Sequence, residues 1–417
     1  MMMAHGALIV GAGQAGPQLA VSLRDHGYDG PVTLVGDEGS YPYQRPPLSK
    51  DFLRGERGLD SLLLRKPELL RAKDIEVRTG TRVTELVAGE SGGYANTSEG
   101  VELPFRHLAL TTGVRPRRLP VAGSDASNVL CLRTVEDARR LQDVLGTAHR
   151  IVVVGGGFIG LEAAAVMSSQ GKQVTVVEAQ DRLLARVAGP VLGEFYRRMH
   201  EKRGVDVLLR TIVTGLGVGS DGRVTEVVLS DGKSLSCDAV LVGIGVERDR
   251  TFADQLGLTW DGGILVDQHA RTSRAGVVAA GDCTAAPNPF ADGAVVRLES
   301  VQNAVDQAKA AAASLCGAMP PKPGVPWFWS DQGAVKLQMA GLTQGYDDYL
   351  VRGEVDSETF SVIYLRQDRF IGIEAVNRPT DFMFARKVLA STGEIRRGSD
   401  TVLADPSVPL KDILVPS

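Results

Sequence analysis

The stretch Ala7-Leu8-Ile9-Val10-Gly11-Ala12-Gly13-Gln14-Ala15-Gly16 decides the fold. Four apolar residues read as a short buried strand, and a G-x-G-x-x-G run follows at once. A helical pattern comes next, with Leu19, Ala20 and Leu23 on one face, and it stops at Gly27. Val32-Thr33-Leu34-Val35 reads as a second strand leading to Gly36-Asp37-Glu38. In such a unit the first glycine permits a tight turn, the second lets backbone approach a pyrophosphate, and the third lets helix and strand pack closely. The helix N-terminus adds free N–H groups and partial positive charge, and the terminal acid accepts hydrogen bonds from ribose hydroxyls. Pro17 fits only if the helix starts near Gly13 or Gln14, which leaves the proline in the first turn.

The unit recurs. Ile151-Val152-Val153-Val154 precedes Gly155-Gly156-Gly157-Phe158-Ile159-Gly160, a helix with Leu161, Ala164, Ala165 and Met167 runs to Gly171, and Val174–Val177 ends at Glu178. One glycine motif is weak evidence, because a turn that needs glycine gives the same string; two in full strand–turn–helix–strand context point to two dinucleotides. A carboxylate at Glu178 favours a free ribose 2′-hydroxyl and repels a 2′-phosphate, so NADH is expected over NADPH. Arg182 and Arg186 follow, either as surface arginines or as contacts to pyrophosphate or adenine.

Composition agrees. The chain has 417 residues, enough for two to three domains of about 150 residues. Glycine, at 48 residues, is about 11.5% of the chain against an ordinary value near 7%. Basic and acidic residues number 46 and 50 for a formal net charge of −4, which gives no drive toward nucleic acid or an anionic membrane. Cys131, Cys237, Cys283 and Cys316 form no C-x-x-C pair, against a zinc ribbon or a thioredoxin-like dithiol. The N-terminus lacks the basic and apolar regions of a signal peptide, and the longest apolar stretch, Ile151–Met167, contains four glycines and Glu162. A cytoplasmic location is the expectation.

A third segment, Val277–Cys283, is an apolar strand ending in Gly281-Asp282. A helix is predicted at about Ser300–Leu315. Its N-terminal dipole would stabilise negative charge on a reduced flavin, or it is an ordinary surface helix.

Together these segments resemble the FAD-containing, NADH-dependent ferredoxin reductases of bacterial oxygenase systems, of the putidaredoxin reductase type. The matching strings are GAGQAG (11–16), PYQRPPLSK (42–50), LTTGVRPRRLP (110–120), GGGFIGLEAA (155–164), VEAQDRLLARV (177–187), LVGIGV (241–246), AAGDCT (279–284), RLESVQNAVDQA (297–308) and WFWSDQ (327–332). The resemblance implies an α/β fold with two Rossmann-like dinucleotide-binding domains on the glutathione-reductase-like plan, plus a C-terminal α+β domain. The FAD domain would comprise 1–114 and 247–322, the NADH domain 115–246, and the interface domain 323–417. In the tail, Val335–Ala340, Tyr349–Arg352, Phe360–Leu365 and Phe370–Val376 independently read as strands, and Thr380–Leu389 as a helix.

By the same resemblance, Gly11, Gly13, Ala15 and Gly16 meet the FAD pyrophosphate and Asp37 its ribose. Val83 offers backbone to adenine. Arg45, Thr112, Gly113, Arg133, Gly281, Asp282, Ser300 and Val301 complete the flavin site, with Val301 at the pyrimidine edge. Gly155, Gly157, Ile159, Gly160 and Glu178 hold NADH. Lys50 is placed near flavin N5 with Glu162 beside it, where a cation stabilises incoming negative charge and a carboxylate holds the cation. On sequence alone Lys50 reads as a solvated lysine and Glu162 as a favourable acid at a helix start. The resemblance puts Trp329 near the flavin, although a tryptophan cluster is ordinarily core.

The chain departs from the pattern at Glu247-Arg248-Asp249, where the family has Pro-Asn, at Thr111, where Ala is usual, and in a slightly long loop at Ala285–Ala294. The implied function is electron transfer from NADH through FAD, one electron at a time, to a two-iron two-sulfur ferredoxin feeding a monooxygenase or dioxygenase. The ferredoxin would be acidic and would meet Arg297 and Arg115–Arg118, and the reductase would be a monomer or weak homodimer. Two alternatives stand beside it: an NADH oxidase or reductase of quinones or radicals, and a redox-sensing binding protein resembling apoptosis-inducing factor.

Overall fold

The computed structural model describes residues 6–391 and 400–410. Along the chain the main elements are β1 (Ala7–Val10), α1 (Ala15–Asp25), β2 (Val32–Val35), β3 (Ile75–Arg78), β4 (His107–Leu110), α2 (Val135–Leu145), β5 (Arg150–Val154), α3 (Phe158–Ser169), β6 (Gln173–Val177), α4 (Pro190–Lys202), β7 (Val205–Leu208), β8 (Ala239–Val242), β9 (Val277–Ala279), α5 (Val301–Leu315), β10 (Trp327–Gln332), β11 (Val335–Gly341), β12 (Asp348–Glu354), β13 (Thr359–Arg366), β14 (Arg369–Val376) and α6 (Pro379–Ala390). The described chain divides into two compact units. The first contains residues up to Gln44, Leu59–Arg115 and Glu247–Pro326, and the second Arg45–Gly58, Pro116–Val246 and the chain from Trp327 onward.

The first unit is built on a five-stranded sheet in the order β9-β4-β1-β2-β3, parallel throughout. β1, β2, β4 and β9 are nearly unbroken apolar runs because both faces are covered, while the edge strand β3 alternates, with Glu76 exposed. Ile9, Leu34, Leu108 and Leu110 are wholly buried. α1 begins at Ala15 with Gln14 as its cap, which leaves Pro17 in the first turn as the sequence requires. A three-stranded antiparallel meander, Val83–Ala88, Gly93–Thr97 and Glu102–Phe105, lies between β3 and β4 in the chain. The slightly long loop at 285–294 belongs to a hairpin that pairs Ala286 with Val296 and Pro287 with Val295.

The second unit repeats the plan with a five-stranded parallel sheet, β7-β6-β5-β8 and the short strand Val129–Leu130. Here the fifth strand comes from upstream in the chain rather than downstream. The meander recurs as Val213–Val218, Val224–Leu229 and Ser234–Ser236. The tail forms an antiparallel five-stranded sheet in the order β10-β11-β14-β13-β12. The four strands and the helix read from the tail sequence are present. WFWSDQ, noted only as a motif, forms the additional edge strand β10.

The backbone makes the repeat close. Gly36 N–H donates to Arg78 O, Thr81 N–H to Gly36 O and Gly80 N–H to Glu38 O; Glu178 N–H donates to Leu208 O, Thr211 N–H to Glu178 O and Arg210 N–H to Gln180 O. Glu178 is therefore equivalent to Gly36, not Asp37. A Cβ on Gly36 would come within 2.5 Å of the Ala12 Cβ, so the first repeat has no room for an acid there and carries its carboxylate one residue later.

Candidate functional site

The two glycine motifs share one geometry. Gly11 has φ +111° and a Cβ on it would lie 2.3 Å from Thr111 O; on Gly16 it would lie 2.2 Å from Gly11 O. In the second motif Gly155 has φ +108° and would meet Gly243 O at 2.4 Å, while Gly160 would meet Gly155 O at 2.7 Å. The middle glycines differ: Gly13 faces open space, and Gly157 has only Gly243 O at 4.0 Å. The outer glycines are thus fixed by the turn and by helix packing, and the middle ones leave a cradle over the helix start. Neither α1 nor α3 carries an acid in its first turn or a side-chain cap, so their leading N–H groups suit phosphate oxygens. This fits a dinucleotide pyrophosphate at each motif.

In the first unit Thr111, Thr112 and Gly281 lie against this turn. Thr111 Oγ1 donates to Gly11 O at 2.7 Å and Val10 O at 3.1 Å, so the threonine that replaces the usual alanine ties β4 to the glycine turn. Gly281, at φ +87°, lies with its missing side chain 3.4 Å from the Ala15 Cβ, and its N–H donates to Gln307 Oε1 on α5 at 2.8 Å. Cys283 is fully buried beside Thr112 and Gly113, and burial raises its thiol pKa. Ser300 caps α5 by accepting the Asn303 N–H, which places Val301 at the first helical position. Asp37 is exposed and pairs with Arg82 at 3.2 Å. Val83 opens the meander and is buried. Arg248, in the segment that departs from the family pattern, donates from Nε to Asp282 O at 2.6 Å and pairs with Glu299 at 2.8 Å.

The second unit holds the rest. Glu178 Oε2 accepts Gly156 N–H at 2.6 Å and Oε1 accepts Gln180 N–H at 2.8 Å, which fixes the acid beside the glycine turn. Ile159 is an exposed apolar residue in the first turn of α3. Arg182 donates to Ala185 O and Ala188 O at 2.8 and 2.7 Å; it staples its own loop rather than reaching outward. Arg45 donates to Arg133 O at 2.7 Å, so these two expected flavin contacts are adjacent. Thr134 and Asp137 form a capping box at α2 that holds the turn carrying Arg133. Trp329 on β10 stacks on Trp327 with centroids 5.3 Å apart.

Lys50 and Glu162 are neither a free lysine nor a simple helix-start acid. Lys50 Nζ lies 2.5 Å from Glu162 Oε2 and also donates to Pro46 O at 3.1 Å. The Lys50 side chain is 12% exposed and that of Glu162 5%. Ser49 Oγ donates to the same carboxylate oxygen at 2.5 Å, and Ser330 Oγ donates to Glu162 Oε1 at 2.6 Å. A charge buried this deeply persists only when its lone pairs are filled, and here they are. Sequence reasoning missed Ser49 and Ser330, which lie 113 and 168 positions from Glu162; no local pattern joins them.

A second buried carboxylate was also missed. Glu374 accepts Gly189 N–H at 2.9 Å and Tyr364 O–H at 2.6 Å. Burial pushes its pKa up from 4.5 to about 7. Of the basic residues expected at a docking surface, Arg115 pairs with Asp249 at 2.7 Å and Arg118 with Asp125 at 2.8 Å. All four cysteines are free. Among the described residues no helix is long and apolar enough to cross a membrane, and no cluster of His, Cys, Asp and Glu is arranged to hold a metal.

Comparison with known proteins adds to this geometry. Residues 6–308 match the family profile described as pyridine nucleotide-disulphide oxidoreductase, and residues 327–414 match one described as reductase C-terminal. The chain is 42% identical over 406 residues to the 5,5'-dehydrodivanillate O-demethylase ferredoxin reductase subunit of a Sphingobium species, covering 97% of each chain. It is 40% identical over 411 residues to putidaredoxin reductase of Pseudomonas putida, covering 98% of this chain and 96% of that one. Among solved structures, the covalent putidaredoxin reductase–putidaredoxin complex superposes with a TM-score of 0.93 at 39% identity, covering 98% of this chain and 97% of its counterpart.

Proposed function

Because this chain belongs to the pyridine nucleotide-disulphide oxidoreductase family, we propose that it carries electrons from NADH through FAD, singly, to a two-iron two-sulfur ferredoxin that feeds an oxygenase. It is an oxidoreductase with FAD and a pyridine nucleotide as its cofactors, and a ferredoxin is its protein partner. The observation that carries the reading is the buried Lys50–Glu162 pair at 2.5 Å in a chain with no paired cysteines. Disulfide reductases on this plan pass electrons to a disulfide of two nearby cysteines; the four cysteines here are all free, so the electrons have to leave to an external acceptor.

FAD, when bound, takes up a hydride and releases its electrons one at a time. The protein's own residues do the rest. The open Gly13 and Gly157 cradles receive the two pyrophosphates. Glu178 holds the ribose of NADH and repels a 2′-phosphate. With FAD bound, Lys50 would stabilise negative charge on the reduced flavin, and Glu162 keeps that ammonium in place without solvent rearrangement. Arg45 and Arg133 would contact the flavin, Val83 would offer backbone to the adenine of FAD, Val301 would begin the helix beside the pyrimidine edge, and Trp329 would shield the ring and shape the partner's docking site.

This reading divides the chain into an FAD domain (1–114 and 247–322), an NADH domain (115–246) and an interface domain (323–417). It places the protein in the cytoplasm as a monomer or weak homodimer. The test is steady-state reduction of a panel of purified two-iron ferredoxins with NADH, in parallel with oxygen and quinones. Ferredoxin reduction far faster than either alternative supports the reading; oxygen or quinone turnover unstimulated by any ferredoxin would replace it with an oxidase or quinone reductase.

A further inference from the structure

Behind the Lys50–Glu162 pair runs a line of buried polar side chains that neither pyrophosphate binding nor nicotinamide recognition uses. Glu162 Oε1 accepts from Ser330 Oγ at 2.6 Å. Ser330 Oγ lies 3.4 Å from Gln332 Nε2. Gln332 Oε1 lies 2.8 Å from His200 Nε2. Ser330 and Gln332 are 0% exposed, His200 1% and Glu162 4%.

Chemistry gives this line one direction. An ionised carboxylate only accepts, so Ser330 donates its single proton to Glu162. The Ser330 oxygen then accepts from the Gln332 amide NH2. The Gln332 carbonyl oxygen is left facing His200 Nε2, which donates. His200 is thereby fixed as the neutral tautomer with hydrogen on Nε2, in keeping with burial that lowers its pKa from 6.5 to about 4. Every donor points toward Glu162, so each bond polarises the next in the same sense. A buried polar line of this kind is costly unless fully satisfied, and an apolar filling of the same volume would serve packing better.

We infer that Ser330, backed by Gln332 and His200, is a positioning residue for hydride uptake: this one-way donor chain pins Glu162 Oε1, so that Oε2 remains aimed at the Lys50 ammonium. The inference rests on the reading of Lys50 and Glu162 as the pair beside flavin N5. It adds that the β10 strand of the tail and the α4 helix set the position of that pair from behind. β10 brings Ser330 and Gln332 to one face by strand alternation, and the flanking Trp329 and Asp331 turn to the other.

The test combines rapid mixing with NADH and a spectroscopic reading of His200. Ser330→Ala should lower the limiting rate of flavin bleaching about tenfold, the worth of one charge-assisted hydrogen bond, with the dissociation constant for NADH unchanged. Ser330→Thr, which keeps the hydroxyl, should recover most of the rate. Gln332→Glu, nearly the same size, draws the Ser330 proton away from Glu162 and should slow bleaching as Ser330→Ala does. In the unaltered holoprotein, nitrogen chemical shifts of labelled histidine, six in the chain, should report His200 as the neutral Nε2–H tautomer.

A His200 carrying hydrogen on Nδ1 alone would overturn the chain's direction whatever the variants do. Normal bleaching in Ser330→Ala beside slow bleaching in Lys50→Ala would overturn the positioning role and leave the Lys50 reading intact. Normal bleaching in Lys50→Ala itself would remove the pair's role and the inference with it.

Discussion

Lys50 and Glu162 lie 112 positions apart in the chain, and their charged atoms meet at 2.5 Å with both side chains nearly out of water. The cation is supplied by the residue after a short turn of 3₁₀ helix, Pro46–Ser49, and the anion by the first half of α3. Helix position alone would make Glu162 a favourable surface acid; the turn that carries Ser49 and Lys50 makes it an enclosed counterion.

Lys50→Met should therefore do two things. It should slow bleaching of the flavin by NADH at saturating coenzyme by tenfold or more, on the scale of about 1.4 kcal/mol per factor of ten. It should also lower unfolding free energy by about 2–3 kcal/mol, because Glu162 keeps its serine donors but loses its countercharge. Stopped-flow absorbance and denaturant titration check the two effects separately. Loss of stability with unchanged bleaching would make the pair structural only.

Much of this was legible in the sequence. The two glycine motifs gave the parallel sheets, because each needs a strand before it and a helix after it, and the apolar runs at Ala7–Val10 and Ile151–Val154 have no polar face. The tail strands showed their alternation. The Lys50–Glu162 pairing came from resemblance rather than from spacing. Ser49, Ser330, Gln332, His200 and Glu374 stayed hidden because each is an ordinary polar residue locally and has a partner in a sequence-distant segment, and Tyr364 because its contact with Glu374 depends on the pairing of two strands. The non-equivalence of Asp37 and Glu178 was equally invisible. Only the backbone ladder reveals that Gly36 occupies the place of Glu178, and only the Ala12 contact explains why.

The glycines separate binding from folding. Gly13→Val enters open space and should leave a folded protein that purifies without flavin. Gly157→Val, at a residue with φ −84° and ψ 172° that suits valine, should retain flavin and lose NADH-driven bleaching. Gly16→Ala, whose Cβ would sit 2.2 Å from Gly11 O, should instead cost several kcal/mol of stability, as overpacked cores do. Flavin absorbance and thermal melting of the three variants check the ordering.

The proposed function gives coenzyme choice to Glu178. Glu178→Ala should shrink the preference for NADH over NADPH by about tenfold, since the repelled 2′-phosphate no longer meets a carboxylate. Part of the loss should appear as weaker NADH binding, because Gly156 N–H loses its acceptor at 2.6 Å. The ratio of kcat/KM for the two coenzymes is the measurement, and an unchanged ratio would move the selectivity elsewhere.

Two buried groups bend the pH profile of stability in opposite senses. Glu374 has its pKa raised from 4.5 to about 7 by burial. The folded state therefore holds a proton that the unfolded state releases, and the stability this gives is full below pH 4.5 and lost as pH rises to about 7. Over that range it amounts to about 3 kcal/mol. His200 has its pKa lowered from 6.5 to about 4, so its contribution is present above pH 6.5 and lost as pH falls toward 4. Glu374→Gln should remove the first slope and leave a melting temperature that climbs to about pH 6.5 and then levels. Melting curves across pH 4.5–8 decide this; parallel profiles for the two proteins would contradict it.

The most direct measurement is an anaerobic titration of the purified yellow protein with NADH, followed by addition of an oxidised two-iron ferredoxin. The account predicts that NADH bleaches the flavin band, and that the ferredoxin then restores it within the mixing time, with two ferredoxins reduced per NADH consumed. A protein without flavin absorbance, or a bleached flavin that no ferredoxin reoxidises, would contradict it.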